Sequence, residues 1–144
     1  MAHPTSKALR WLQSAGAVTA GLVVIVALSI GADMIFHALG VYPAWGEAMT
    51  EPGDNLLALT YRSVFTIAGG YVSASLAPKA PVDHALALGI VDLVLSALGA
   101  VATVVVVDLG SDWYPLMLVV IALPCAWAGG ALRTREITRN LKGA

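Results

Sequence analysis

Four long apolar stretches separated by short polar segments dominate the hydropathy pattern of the chain. They cover approximately residues 11–39, 56–76, 82–107 and 113–132. Each provides the roughly 20 mostly apolar residues that a helix needs to cross a bilayer. Because two of the three connections are short, neighbouring helices should run antiparallel. The pattern predicts an all-α membrane protein, a single up-down bundle of four transmembrane helices over residues 1–144, with a short basic tail at 133–144.

The composition supports the membrane assignment. Hydrophobic residues make up 58% of the sequence, charged residues 12%, and the mean hydropathy is +0.81. Soluble domains average about 45–50% apolar and about 25% charged residues. These values exclude an ordinary soluble domain. No basic module of the kind that binds nucleic acid is present, so membrane lipids are the expected surroundings.

The charges outside the apolar stretches predict an orientation. Short cytoplasmic loops collect Lys and Arg, and here the connections at 40–55 and 108–112 contain neither. The basic residues lie instead at the other end of the predicted helices: Lys7, Arg10, Lys79, Arg133, Arg135, Arg139 and Lys142. Both termini are therefore predicted to be cytoplasmic, where this basic face would meet anionic lipid headgroups.

Polar residues recur at intervals of four within three of the apolar stretches. Residues four apart lie on one face of a helix, so each stretch presents one polar stripe. Charged side chains inside a membrane usually face the bundle interior and find partners there. The predicted polar core, a candidate transport or ligand site, consists of Ser29, Asp33, His37, Arg62, Thr66, Asp92 and Ser96.

Arg62 is the only cation within these stripes, and we predict that it pairs with Asp33, Asp92 or both. Two carboxylates and one guanidinium would leave one acid able to titrate. His37 lies one helical turn beyond Asp33 and is a candidate for proton relay. The simpler interpretation of His37 is an interfacial side chain.

A second pattern concerns helix packing. Small residues spaced four apart allow close approach of helices in lipid, and the clearest candidates are Gly69, Gly70, Ser73, Gly129 and Gly130. The connection at 40–55 is the only long one, and it is acidic and aromatic. It is a candidate surface for a protein partner or for a second copy of the chain.

Enzyme and cofactor signatures are absent from the sequence. We find no zinc-protease helix motif, no nucleophile elbow, no phosphate-binding glycine loop and no cysteine-histidine metal spacing. The single cysteine, Cys125, also excludes dithiol exchange. We therefore predict no cofactor, no metal and no catalytic residue.

One segment resembles a known group of proteins. The run Gly69-Gly70-Tyr-Val-Ser-Ala-Ser-Leu-Ala-Pro78, followed by Pro81, His84-Ala85 and Leu88-Gly89, is similar to a segment of small bacterial four-helix inner-membrane proteins. That group has no established activity. The resemblance implies a location in the bacterial inner membrane and carries no mechanism.

Two functions are consistent with the polar stripes. If the charges only hold the helices together, the protein is a non-enzymatic accessory or interaction subunit with a charge-paired core. If they line a hydrated path, it is an oligomeric transporter or channel for protons, ions or small solutes. The sequence favours the first function and leaves the second as the alternative.

Overall fold

The computed structural model describes residues 4–107 and 110–143. Within these ranges the chain forms four α-helices: α1 (Pro4–Ala38), α2 (Pro52–Leu76), α3 (Pro81–Val101) and α4 (Trp113–Lys142). A π-helical segment, Ala102–Val107, continues α3. No strand occurs in the described ranges, where β-pairing is limited to one isolated bridge between Met49 and Gly110. The predicted all-helical class is confirmed.

Three of the helices, α1, α3 and α4, are long and apolar enough to cross a membrane. Helix α2 has sufficient length, with 25 residues, but the polar residues from Thr60 to Ser63 and the glycine, tyrosine and serine residues from Gly69 to Ser75 lower its hydropathy. Hydropathy therefore supports a membrane protein with at least three spanning helices among the described residues.

The helix ends differ from those that hydropathy predicts. Helix α1 is already formed at Pro4, the first described residue, and not only from near Trp11. Helix α2 begins at Pro52, because proline fits the first turn of a helix. Helix α4 does not end at Leu132 but continues to Lys142. No Gly or Pro interrupts residues 133–142, and Gly143 follows them. Apolar content marks the end of a span, whereas helix formation continues until a residue stops it.

Helix α2 is at the centre of the bundle, packed against α1, α3 and α4. Helix α4 packs along both α2 and α3, and α1 contacts α2 much more extensively than α3. Helices α2, α3 and α4 therefore form a tight group. Helix α1 is attached to this group mainly by its contact with α2.

The interior contains small side chains and the exterior contains large ones. Among the described residues, the largest fully buried side chains are those of Leu88, Asn55 and Ser73. The buried apolar residues are mostly alanines: Ala17, Ala58, Ala74, Ala85, Ala100, Ala122 and Ala126. Meanwhile Leu98 and Val105 are 64% and 75% exposed. Soluble proteins have the opposite arrangement, whereas a bilayer solvates large apolar surfaces and lets small residues bring helices together.

All five predicted packing residues lie buried in this interior: Gly69, Gly70, Ser73, Gly129 and Gly130. A Cβ atom added at Gly129 would overlap the carbonyl oxygen of Ile67 and lie 2.6 Å from the backbone nitrogen of Tyr71. One added at Gly21 would lie 2.6 Å from the carbonyl oxygen of Gly69. The backbones of α2 and α4, and those of α1 and α2, are therefore in direct contact.

Asn55 joins the two connections at one end of the bundle. Its side chain is 2% exposed, and its Nδ2 donates to the carbonyl oxygens of Met49 at 3.0 Å and Glu51 at 3.2 Å and to Ser111 Oγ at 3.3 Å. Nearby, Gly110 has a φ of +121°, and a Cβ there would lie 2.7 Å from the Met49 carbonyl oxygen. Hydrogen bonds from Asn55 therefore hold both connections together at this end of the bundle.

Candidate functional site

An ion pair links α1 to α2. Arg62 Nη2 donates to Asp33 Oδ2 at 2.6 Å, and the Tyr61 hydroxyl donates to Asp33 Oδ1. Both oxygens of the carboxylate are thus occupied, as a partly buried charge requires. The predicted pairing of Arg62 with Asp33 is present in the structure.

Asp92 on α3 has a different environment. Its Oδ2 accepts a long hydrogen bond of 3.5 Å from the Thr66 hydroxyl of α2. Over the described ranges 4–107 and 110–143, no cation lies within salt-bridge distance of Asp92. Of the two acids, Arg62 pairs with Asp33 and leaves Asp92 with one weak neutral partner.

His37 attaches the long connection to the end of α1. Its Nδ1 lies 2.7 Å from the carbonyl oxygen of Pro43, and since a carbonyl can only accept, this nitrogen carries a proton and donates. The imidazole also stacks on Trp45 with ring centroids 3.8 Å apart. The described hydrogen bonds include none between His37 and Asp33, so the arrangement anchors the loop and gives no support to a relay.

Tyr42, in the long connection 40–55, packs against the end of the site where His37 lies. Its ring is 5% exposed and lies 5.3 Å from that of Phe36, and its hydroxyl donates to that of Tyr61 at 3.4 Å. Burial raises the pKa of the Tyr42 phenol above its ordinary value. The group therefore stays protonated at neutral pH and remains a hydrogen-bond donor.

These groups surround a cavity of about 590 Å³. Its walls are the C-terminal half of α1, the C-terminal half of α3 with the π-helical segment, and the first turns of α4; the loop segment 43–47 covers one end. Val26, Ile30 and Leu95 line it and are 45%, 54% and 48% exposed. The cavity is therefore open on the side where α1 and α3 face each other.

Six of the seven predicted core residues line this cavity: Ser29, Asp33, His37, Arg62, Asp92 and Ser96. The seventh, Thr66, is 5% exposed and lies behind Asp92, to which it donates. The predicted packing residues are not part of the lining. The polar stripes and the small residues thus occupy separate parts of the bundle.

Several lining or supporting residues are not indicated by the interval-of-four pattern. Tyr61 precedes Arg62 in the chain and is therefore off the polar stripe of α2, yet its long side chain reaches Asp33. Trp45 and Tyr114 form an aromatic part of the cavity wall. The available signal for Trp45 was its position in an acidic, aromatic loop, and nothing in the sequence marks Tyr114 beyond its place at a helix end.

The charge of the lining is strongly unbalanced. Among the described residues, the carboxylates of Asp33, Glu47, Asp92 and Asp112 line the cavity, together with the one guanidinium of Arg62. The Nε of Arg62 is buried without a hydrogen-bond partner among the described residues.

A metal centre is not evident in the described ranges, where no three His, Cys, Asp or Glu side chains are clustered suitably for an ion. No protein-family model, curated protein or solved structure matches the chain.

Proposed function

We propose that the chain is a multi-pass membrane protein that binds a small solute in the cavity between α1 and α3 and carries it as a transporter. One observation supports this above others: six residues predicted as a polar core line a single cavity of about 590 Å³. Ligand pockets usually measure about 300–1,000 Å³ and combine apolar walls with a few polar groups. Charges that served only to hold helices together would not need a cavity beside them.

In this proposal α2 is a fourth membrane-crossing helix. Its neighbours on three sides are protein helices, so its polar residues Arg62 and Thr66 need not face lipid. A helix shielded in this way tolerates lower hydropathy than one that faces the bilayer. The loop charges then put both termini in the cytoplasm and the cavity in the outer half of the membrane. The resemblance noted for residues 69–89 favours the bacterial inner membrane.

The proposed mode of action is a carrier rather than an open pore. Away from the cavity, α1, α2 and α4 meet backbone to backbone at Gly21, Gly69 and Gly129, which leaves little room for a continuous path. A solute would therefore bind from the outer side or from the lipid, and passage would require rearrangement of the helices or a second copy of the chain.

The accessory-subunit function remains the second candidate. Trp45 is 69% exposed on the long connection, and exposed aromatic residues are common in protein interfaces. Residues 40–55 would then contact a partner protein or another copy of the chain. In that case the cavity would be filled by lipid or closed by the partner.

Cysteine labelling tests whether water reaches the cavity. In a Cys125→Ala background, we would introduce Ser29→Cys or Ser96→Cys and add a membrane-impermeant thiol reagent to intact cells. Both positions line the cavity. Ser96 is partly exposed, so Ser96→Cys should react within minutes, whereas Ser29 is 7% exposed and Ser29→Cys should react more slowly. Ser73→Cys provides a matched control, because Ser73 is 0% exposed and lies outside the cavity.

A second control separates water from lipid. Leu98 is 64% exposed on the outside of α3, so the thiol of Leu98→Cys should face lipid, stay protonated and not react with the impermeant reagent. If Ser29→Cys and Ser96→Cys behave like Leu98→Cys in a folded protein, the cavity is not hydrated and the accessory function is favoured.

A further inference from the structure

The cavity carries excess negative charge at two depths. Glu47 and Asp112 lie at the end covered by the loop, and Asp92 lies deeper on α3. The guanidinium of Arg62 is already committed to Asp33 at 2.6 Å, so it does not neutralise a further acid by direct contact. A bound cation would complement this lining, and a bound anion would meet three carboxylates that form no salt bridge with any described residue.

Asp92 is the lining acid best placed to hold such a cation. It faces the cavity, its only described hydrogen bond is the 3.5 Å contact with Thr66, and no described cation neutralises it. An ionised carboxylate at this depth is costly without a counter-charge. A ligand that brings a positive nitrogen would provide that counter-charge.

The remaining wall indicates an organic cation rather than a bare ion. Most of the lining is apolar, with Leu22, Ile25, Val26, Ile30, Leu95 and Leu118 among its residues. Trp45 and Tyr114 add aromatic faces that attract cationic nitrogen. A metal ion would instead need several oxygen or nitrogen ligands in one place, and no such cluster exists within 4–107 and 110–143.

We infer that the cavity recognises an amphipathic organic cation, whose ammonium group pairs with Asp92 and whose apolar body contacts the walls formed by α1 and α3. This inference rests on the proposed solute-binding function and adds the chemical class of the solute. The open side between Val26, Ile30 and Leu95 fits such a ligand, because an amphipathic cation partitions into the membrane before it binds.

A charge series on one apolar body tests the inference. Naphthylmethylammonium, naphthylmethanol and naphthoate share a ring system and differ in charge at neutral pH. We would measure their affinities for the full chain in nanodiscs by equilibrium dialysis, with empty nanodiscs to subtract partitioning. The ammonium should bind at least about tenfold more tightly than the alcohol, since a buried charge partner is worth that much or more, and naphthoate should bind weakest.

Variants then identify the carboxylate. Asp92→Asn keeps the shape and removes the charge, and it should abolish the preference for the ammonium over the alcohol. Asp83→Asn is the matched control, because Asp83 lies exposed at the opposite end of the same helix and does not line the cavity; it should keep the full preference. If Asp92→Asn does not fold, Asp92→Glu serves instead, and it should retain the preference.

The results separate failure of the inference from failure of the proposed function. Equal affinity for ammonium and alcohol, a preference that survives in Asp92→Asn, or tightest binding of naphthoate would each overturn the inference. If Ser96→Cys still reacts with the impermeant reagent, the solute-binding function stands and only the cation class is rejected. If Ser96→Cys is also unreactive, the solute-binding function itself fails.

Discussion

Arg62 on α2 and Asp33 on α1 are joined by a hydrogen bond of 2.6 Å between Nη2 and Oδ2, and Tyr61 occupies the other carboxylate oxygen. The two side chains are 32% and 21% exposed, so the pair lies at the cavity wall and not in a dry core. Because α1 has its main contact with α2, this pair links the most loosely attached helix to the rest of the bundle.

Removing the acid should loosen that link. We expect Asp33→Asn to lower the free energy of unfolding by about 2 kcal/mol, because hydrogen bonds to charged groups are worth about 1.5–3 kcal/mol and Arg62 would lose its counter-charge. Reversible unfolding with sodium dodecyl sulfate in mixed micelles measures the change. A loss below the error of that method would show that Asp33 contributes nothing to stability.

The double variant distinguishes pairing from separate effects. Asp33→Asn combined with Arg62→Gln should be less destabilised than the sum of the two single variants, since each single change leaves an unpaired group and the double change leaves none. Additive effects would mean that the 2.6 Å contact does not couple the residues energetically.

The close contact between α2 and α4 should make stability sensitive to any side chain added at Gly129. A Cβ at Gly129 overlaps the Ile67 carbonyl, so Gly129→Ala must push the helices apart, and we expect a loss of about 1–3 kcal/mol. Gly16 is also within a helix but has nothing within 4 Å of its added Cβ. Gly16→Ala should be neutral or stabilising by up to about 1 kcal/mol. The same unfolding assay compares them, and equal effects would contradict the close packing.

Asn55 should control the order of the long connection. Asn55→Ala leaves the carbonyl of Met49 and the hydroxyl of Ser111 without their donor, and we expect faster proteolysis within residues 40–51 and a loss of about 1–3 kcal/mol. Thr60→Ala is the control, because Thr60 is exposed and bonds only to the Leu56 carbonyl of its own helix. Unchanged proteolysis of Asn55→Ala would show that the loop is held by other contacts.

Whether α2 crosses the membrane is testable by labelling its two ends. In the Cys125→Ala background, Gly53→Cys should react with an impermeant reagent from outside intact cells, and Asp83→Cys only after permeabilisation. Both positions are exposed, and neither change removes a basic residue that sets topology. Reaction of both from the same side would rule out a crossing by α2.

Trp45 should slow entry into the cavity. It stacks on His37 and lines the end that the loop covers, so Trp45→Ala should accelerate labelling of Ser29→Cys several-fold in intact cells. Trp113→Ala is the matched control, since Trp113 lies near the same end of the bundle but does not line the cavity. Equal rates in the two variants would mean that Trp45 does not restrict access.

Hydropathy and helical periodicity predicted the fold class and most of the polar core. Intervals of four placed Ser29, Asp33 and His37 on one face, and the structure puts all three on the cavity wall. The helix ends were less predictable, because α4 extends beyond its apolar stretch through the polar residues 133–142. Apolar content alone carries no information about that extension.

The cavity could not be derived from the sequence. Its volume depends on how far α1 lies from α3, and that spacing results from close contacts elsewhere, such as the one between Gly21 and Gly69. The contact between Tyr61 and Asp33 was not predictable either. Periodicity gives the direction in which a residue leaves the helix, but a long side chain can bend from there towards a neighbouring face. Whether Arg62 pairs with Asp33 or with Asp92 depends on the same distances between helices.

The attachment of the loop to His37 has a mechanical consequence. One part of the connection is bonded to α1 through the Pro43 carbonyl, and another is bonded to α2 through Asn55 and Met49. Between these two anchors lies Gly46, with a φ of +89°. If α1 tilted, it would carry Trp45 with it, whereas Met49, bonded to α2, would stay in place. The loop segment 43–47 and α1 would then move together, and the backbone would bend at Gly46.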